Sequence, residues 1–156
     1  MFSSLSNTQF VLFAEEVIVS DQRWAEQRLG KTRLKGAYAY QTLLQHGGML
    51  ALGTDFPVEQ TNPFLTIQAG VFRTNAEGEP IGGFLPEEAL TEEECLRGMT
   101  IWPAFASFSE ARTGSLEKGK DATFVILDLP YRVVESFEQN FAWKVFICGR
   151  ERYSAA

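Results

Sequence analysis

Histidine is nearly absent from this chain. His46 is the only one in 156 residues, and there are just two cysteines. A catalytic divalent ion takes about four to six donors, chiefly from His, Cys, Asp and Glu, so the chain alone is poorly supplied with metal ligands. A single pair, Cys95 and Cys148, is also a poor disulfide framework, and both thiols are expected to be reduced in a cytoplasmic protein. Acidic residues outnumber basic ones, 20 to 14, giving a formal net charge of -6 with no run of Lys or Arg. Nucleic acid and anionic membrane surfaces both call for a basic footprint, which is missing here. No apolar run approaches the roughly 20 residues that span a bilayer. The apolar residues near the start, Phe10 to Ala14 and Val17 to Val19, are interrupted by Glu15 and Glu16. No basic residues precede them, unlike a signal peptide. Gly114, Gly119 and Gly149 suit turns and belong to no phosphate-cradling motif, which argues against nucleotide binding.

What is present is an α/β order followed by β-structure. Residues 1–8 are small and polar and are expected to be mobile. QFVLFAEEVIV, residues 9–19, is rich in β-branched and aromatic residues and predicts a strand. RWAEQRL predicts a short helix ending at Gly30, and a longer helix follows over about Thr32 to His46, stopped by Gly47 and Gly48. Met49 to Leu52 predicts a buried strand. Asn62 and Pro63 form a helix start, since Asn caps and Pro at the first position loses no needed hydrogen bond, and that helix should run to about Phe72. Residues 74–90, with repeated glycine and proline turn signals, predict a long surface loop. Thr91 with Glu94 forms a capping box for a helix with Leu96, Met99 and Ile101 on its apolar side, broken at Pro103. From Gly114 the pattern turns to strands, GSLEKGKDATFVILD and then WKVFICGRERY with a glycine turn between its two halves. The divisions are thus 1–8, an α/β part over 9–113, and a β part over 114–156.

One carboxylate stands out. LALGTDFPVE, residues 50–59, places Asp55 just past an apolar strand, where parallel α/β sheets and barrels carry their chemistry. Two readings fit: a functional carboxylate, or an Asx-type turn before Phe-Pro. His46 lies at a helix C-terminus, where its ring favours the last carbonyls, and it is not expected to be a ligand. Glu15 and Glu16 are the remaining oxygen donors nearby, but a strand would point only one of them inward. Among the aromatics, Phe64, Phe72, Trp102, Phe105 and Phe108 fit a core, whereas Phe56 and Phe84, on loops, are the candidates for lining a substrate pocket.

The segments RWAEQRLGKTRLKGAYAYQTLLQHGGMLALGTDFPVEQTNPF and LTEEECLRGMTIWPAFASFSEARTGSLEKGKDATFVILD together resemble the C-terminal part of metal-dependent amidohydrolases. The nearest group is the one often labelled amidohydrolase family 3, which includes predicted exoenzyme regulatory proteins. The resemblance runs from about Ser20 to Tyr153. It implies the last part of a (β/α)8 TIM barrel, with Leu50 to Gly53 as its eighth strand. It also implies the returning strands of a small β-sandwich composite domain at Ala122 to Asp128 and Lys144 to Cys148.

By that resemblance Asp55 would be both metal ligand and catalytic group, taking a proton from metal-bound water and passing it to the leaving nitrogen. The cofactor implied for the complete enzyme is a divalent metal, zinc foremost, and the substrate a small-molecule amide or cyclic amide. Two departures count against activity of the chain alone. The paired histidines of the first strand have no counterpart, and where relatives carry Gln-Pro-x-His this chain has Ala14, Glu15 and Val17. The expectation is therefore a C-terminal, truncated segment with no bound metal and no activity by itself. Alternatively it is one part of a hydrolase assembled in trans, through self-association or a complementary N-terminal chain, or a non-enzymatic binding or regulatory module.

Overall fold

The structure, a computed structural model, describes residues 16–128 and 142–155, excluding the side chains of 16–20 and Arg23. The predicted mobility of residues 1–8 and the first part of the predicted strand fall outside it. Helix α1 spans Glu16–Leu34 and is interrupted at Gly30, whose φ of 72° and ψ of 158° are non-helical. Gly30 therefore ends a helical run as expected. The run, however, begins at Glu16, inside the segment predicted as strand. β-Branched preference is worth at most about 1 kcal/mol and yields to context, and here the helix of SDQRWAEQRL continues back through Val17, Ile18 and Val19.

The helix predicted over Thr32 to His46 is divided. Turns at residues 35–39, with Gly36 N–H donating to Arg33 O and Ala37 N–H to Leu34 O, separate α1 from α2, Tyr40–Gln45. Tyr38 adopts φ 54° in that connection. Helix α2 stops where the glycine pair predicts, with Gly47 N–H donating to Leu44 O and Gly48 N–H to Leu43 O. Its start has no cap from Ala39. The buried Glu88 carboxylate supplies one instead, accepting from Thr42 N–H at 2.8 Å and from the Thr42 hydroxyl at 2.5 Å.

Leu50 and Ala51 are buried as predicted, but Met49 to Leu52 is an extended connection and not a strand. A strand requires a ladder, and among the described residues the bond to this stretch comes from a helix, Leu52 N–H donating to Gly98 O at 2.9 Å. Helix α3, Pro63–Phe72, starts as predicted, with the Asn62 side chain accepting from Phe64 N–H, and ends at Arg73 in the left-handed region, φ 59°. The loop over 74–90 is less superficial than expected. It contains a short 3-10 turn at Pro86–Glu88 and buries Glu88 and Leu90.

The Thr91–Glu94 capping box is present at the start of α4, Glu92–Met99. Its inward face differs from the expectation: Cys95 and Gly98 are buried, Met99 packs on the core, and Leu96 is exposed. Cys95, Gly98 and Met99 recur at spacings of three and four and so share one face of the helix, which leaves Leu96 about 100° round from Cys95. The chain breaks at Thr100, before Pro103. Helix α5, Ile101–Ala106, carries Pro103 in its first turn, where the missing N–H is not needed.

The three strands β1 (Phe124–Leu127), β2 (Ala142–Ile147) and β3 (Arg150–Ser154) form an antiparallel sheet in the order β1-β2-β3. Cys148 and Gly149, with φ of 50° and 75°, make the two-residue turn from β2 to β3, as primed hairpin turns require. Phe124 and Phe146 pair in register with their rings stacked, centroids 4.8 Å apart. The core joins Tyr40, Leu50, Phe64, Ile67, Ala69, Leu90 and Cys95, and Leu127 connects the sheet to it. Among the described residues no helix is long and apolar enough to cross a membrane. Both cysteines are free thiols, Cys95 buried and Cys148 exposed.

Candidate functional site

Asp55 follows the buried Leu50–Ala51 stretch and is held in a tight turn. Its φ is 51°, the Phe56–Pro57 bond is cis, and Val58 N–H donates to Asp55 O at 2.9 Å. The main-chain oxygen thus closes this turn, and the carboxylate stays exposed. A non-glycine residue in the left-handed region costs energy that its surroundings must offset. Here the surroundings are the anchored Leu50 on one side and the Asn62-capped α3 on the other.

The structure does not gather a metal centre around this carboxylate. Among the described residues no three His, Cys, Asp or Glu side chains are grouped to hold an ion. One carboxylate falls short of the four to six donors an ion takes, so the residues present do not fit the metal implied by the resemblance. His46 caps the C-terminus of α2, its Nδ1 2.7 Å from Thr42 O, the helix-end position expected for it. Glu16 is helical, so the strand alternation invoked for Glu15 and Glu16 does not apply, and Glu15 lies outside the described residues.

The two pocket candidates are placed differently from each other. Phe56 is 67% exposed in the Asp55 turn. Phe84 is half-buried against the core, edge-to-face with Tyr38 at a centroid distance of 5.8 Å. Two clefts, lined by Asp21 with Tyr38 and by Thr91 with Trp102, contain none of Asp55, Phe56 or Phe84.

Sequence reasoning missed Arg73, Glu88 and the Asp21–Tyr38 pair. Arg73 is fully buried, its Nε donating to Phe84 O at 2.9 Å and its Nη2 to Tyr38 O at 3.3 Å, with the guanidinium 5.5 Å from the Tyr40 ring centroid. A charged residue in a loop-boundary sequence carries no sign of burial, and the left-handed cap at Arg73 shows only in the structure. The Tyr38 hydroxyl donates to Asp21 Oδ2 at 3.3 Å.

Burial, then the Asp21 charge and that hydrogen bond, hold the Tyr38 phenol above the usual tyrosine range. A raised native value favours the protonated fold, so the contribution is complete below the ordinary value near pH ~10 and lost as pH rises through the native value. Ultraviolet titration of the phenols should therefore show one of the four tyrosines ionising late, and Asp21→Asn should bring it earlier. An unchanged late phase in Asp21→Asn would rule out the pairing.

A sequence model described as the amidohydrolase family matches residues 7–144. The putative amidohydrolase YtcJ of Bacillus subtilis (strain 168) is 34% identical over 110 residues, covering 70% of this chain and 21% of that protein. An N-substituted formamide deformylase of Arthrobacter pascens is 34% identical over 91 residues, covering 58% of this chain and 16% of that protein. The crystal structure of an uncharacterized metal-dependent hydrolase from Pyrococcus horikoshii OT3 superposes with a TM-score of 0.63 at 29% identity, over 74% of this chain and 23% of that one. The chain spans about a fifth of the length of the curated relatives it matches. With the match extending across the Asp55 turn and the capping box to β2, the chain belongs to the amidohydrolase family.

Proposed function

We propose that this chain is the C-terminal segment of a metal-dependent hydrolase acting on C–N bonds other than peptide bonds, in an amide or cyclic amide, and that by itself it is inactive. The observation that carries the reading is Asp55. It is a carboxylate on a strained turn directly after a buried apolar segment, inside the family match and without companion donors among the described residues. The barrel and composite-sandwich assignments of the two parts belong to the same proposal, as do zinc as the metal and Phe56 and Phe84 as substrate contacts. The remaining donors would come from a complementary N-terminal chain, assembled in trans.

Elemental analysis of purified, size-characterised protein tests this, with Asp55→Ala as control. The expected result is no stoichiometric zinc on the chain alone. Zinc should appear after mixing with a chain that carries the family's paired histidines, and should be lost again in Asp55→Ala. Stoichiometric zinc on the chain alone, lost in Asp55→Ala, would overturn the inactive-alone reading. Zinc retained by Asp55→Ala in the mixture would remove Asp55 from the site.

A second reading, a non-enzymatic binding module, is favoured by the sheet. Val125, Trp143, Ile147 and Tyr153 are each about half exposed on it, and apolar side chains grouped at a surface mark contact sites. A tight, metal-independent complex with a protein unrelated to hydrolases would favour it.

A further inference from the structure

A cleft of ≈ 370 Å³ lies along α1 opposite the Tyr38 turn, lined by Asp21, Trp24, Ala25, Arg28, Leu29 and Tyr38. The five helical residues recur at spacings of three and four, so they share one face of α1. The volume is in the range of small-molecule pockets, roughly 300–1,000 Å³. Its polar groups are arranged unequally. The Asp21 carboxylate accepts the Tyr38 hydroxyl, so that anion and that proton already have each other. Arg28, about two turns further along α1, has no carboxylate within salt-bridge distance among the described residues. Between them Trp24 leaves its side chain 56% exposed above the buried Ala25, and Leu29 continues the apolar wall.

We propose that this cleft binds a small organic monoanion with a flat apolar body, an aryl carboxylate, held at its carboxylate by Arg28 and along its ring by Trp24 and Leu29. A guanidinium presents a planar fork that matches a carboxylate with two parallel hydrogen bonds. The indole face offers a ring an offset stack and removes apolar surface from water on both partners. The Asp21 charge at the other end of the cleft repels a second anionic group, which selects a monoanion over a dianion. The site is separate from the Asp55 turn, which contributes nothing to this cleft, so the inference stands apart from the hydrolase reading.

Calorimetric titration of the full chain with benzoate tests it. Benzyl alcohol serves as the neutral probe, phthalate as the dianionic one, and Arg28→Gln and Trp24→Ala as variants. Both residues are exposed on α1, and circular dichroism checks that the variants fold. Saturable benzoate binding with a dissociation constant of about 1 mM or tighter is expected, with a loss of about tenfold or more in Arg28→Gln and a clear loss in Trp24→Ala. Benzyl alcohol and phthalate should each bind about tenfold or more weakly than benzoate. No saturation by benzoate, equal binding to Arg28→Gln, or benzyl alcohol binding as well as benzoate would overturn the proposal.

Discussion

Arg73→Leu is expected to destabilise the fold by about 3 kcal/mol or more, read as a lower urea midpoint with little change in slope. The side chain is fully buried and its guanidinium joins three places far apart in sequence: Phe84 O in the loop, Tyr38 O in the connection before α2, and the Tyr40 ring. Leucine fills similar space but leaves Phe84 O without its donor and takes one of two donors from Tyr38 O, which keeps Tyr40 N–H, and a buried acceptor stripped of its partner costs about 1–3 kcal/mol. The cation–π contact, worth about 0.5–2 kcal/mol depending on desolvation, goes as well. Arg73→Lys should fall between the two, because an ammonium keeps the charge but cannot span both carbonyls with a planar fork. A leucine variant as stable as the parent would mean that the loop over 74–90 is not held through Arg73.

Local signals were legible wherever a short-range bond decides the structure. The Asn62-Pro63 start of α3, the Thr91–Glu94 box, the stop at Gly47 and the Cys148-Gly149 turn all depend on residues within four positions of one another, and capping and turn chemistry reads at that range. Expectations failed where more distant residues decide. The Val17–Val19 run favours strand locally, yet it is carried into α1 by the helix-forming residues on its C-terminal side. The predicted helix over Thr32 to His46 has no proline to break it. It opens at Tyr38 because the turn there lets the phenol reach Asp21 and the carbonyl reach Arg73, two partners a local reading cannot see.

The same distinction applies to the candidate site. Asp55 could be singled out because its place after an apolar segment is a sequence property, and its left-handed backbone sets it apart in the structure too. Its companions could not be found, since the sequence has one histidine and among the described residues no group of donors gathers to hold an ion. Glu88 was hidden for the opposite reason. In sequence it is one more acidic residue beside Glu87, and only the fold brings it to the uncapped start of α2.

Gly98→Val should destabilise the protein by about 1–3 kcal/mol through overpacking, with a further few tenths from β-branching in a helix. A Cβ at Gly98 would lie 2.5 Å from Leu52 Cδ1, 2.6 Å from Leu52 Cγ and 3.1 Å from Leu50 O. The leucine tip can swing away, but the Leu50 carbonyl belongs to a fully buried residue, so the added Cβ and its two methyl groups must push α4 off the Leu50–Leu52 segment. Gly98→Ala should cost less, because alanine recovers about 1 kcal/mol of helix propensity over glycine. Leu52 N–H donates to Gly98 O, so its hydrogen exchange should accelerate in Gly98→Val more than that of α3 amides. This contact is also the described tie between α4 and the stretch leading to Asp55. If the proposed complemented assembly forms, Gly98→Val should weaken its zinc retention while leaving Asp55 itself intact. Unchanged exchange at Leu52 together with an unchanged urea midpoint would mean that α4 does not hold the Asp55 segment in place.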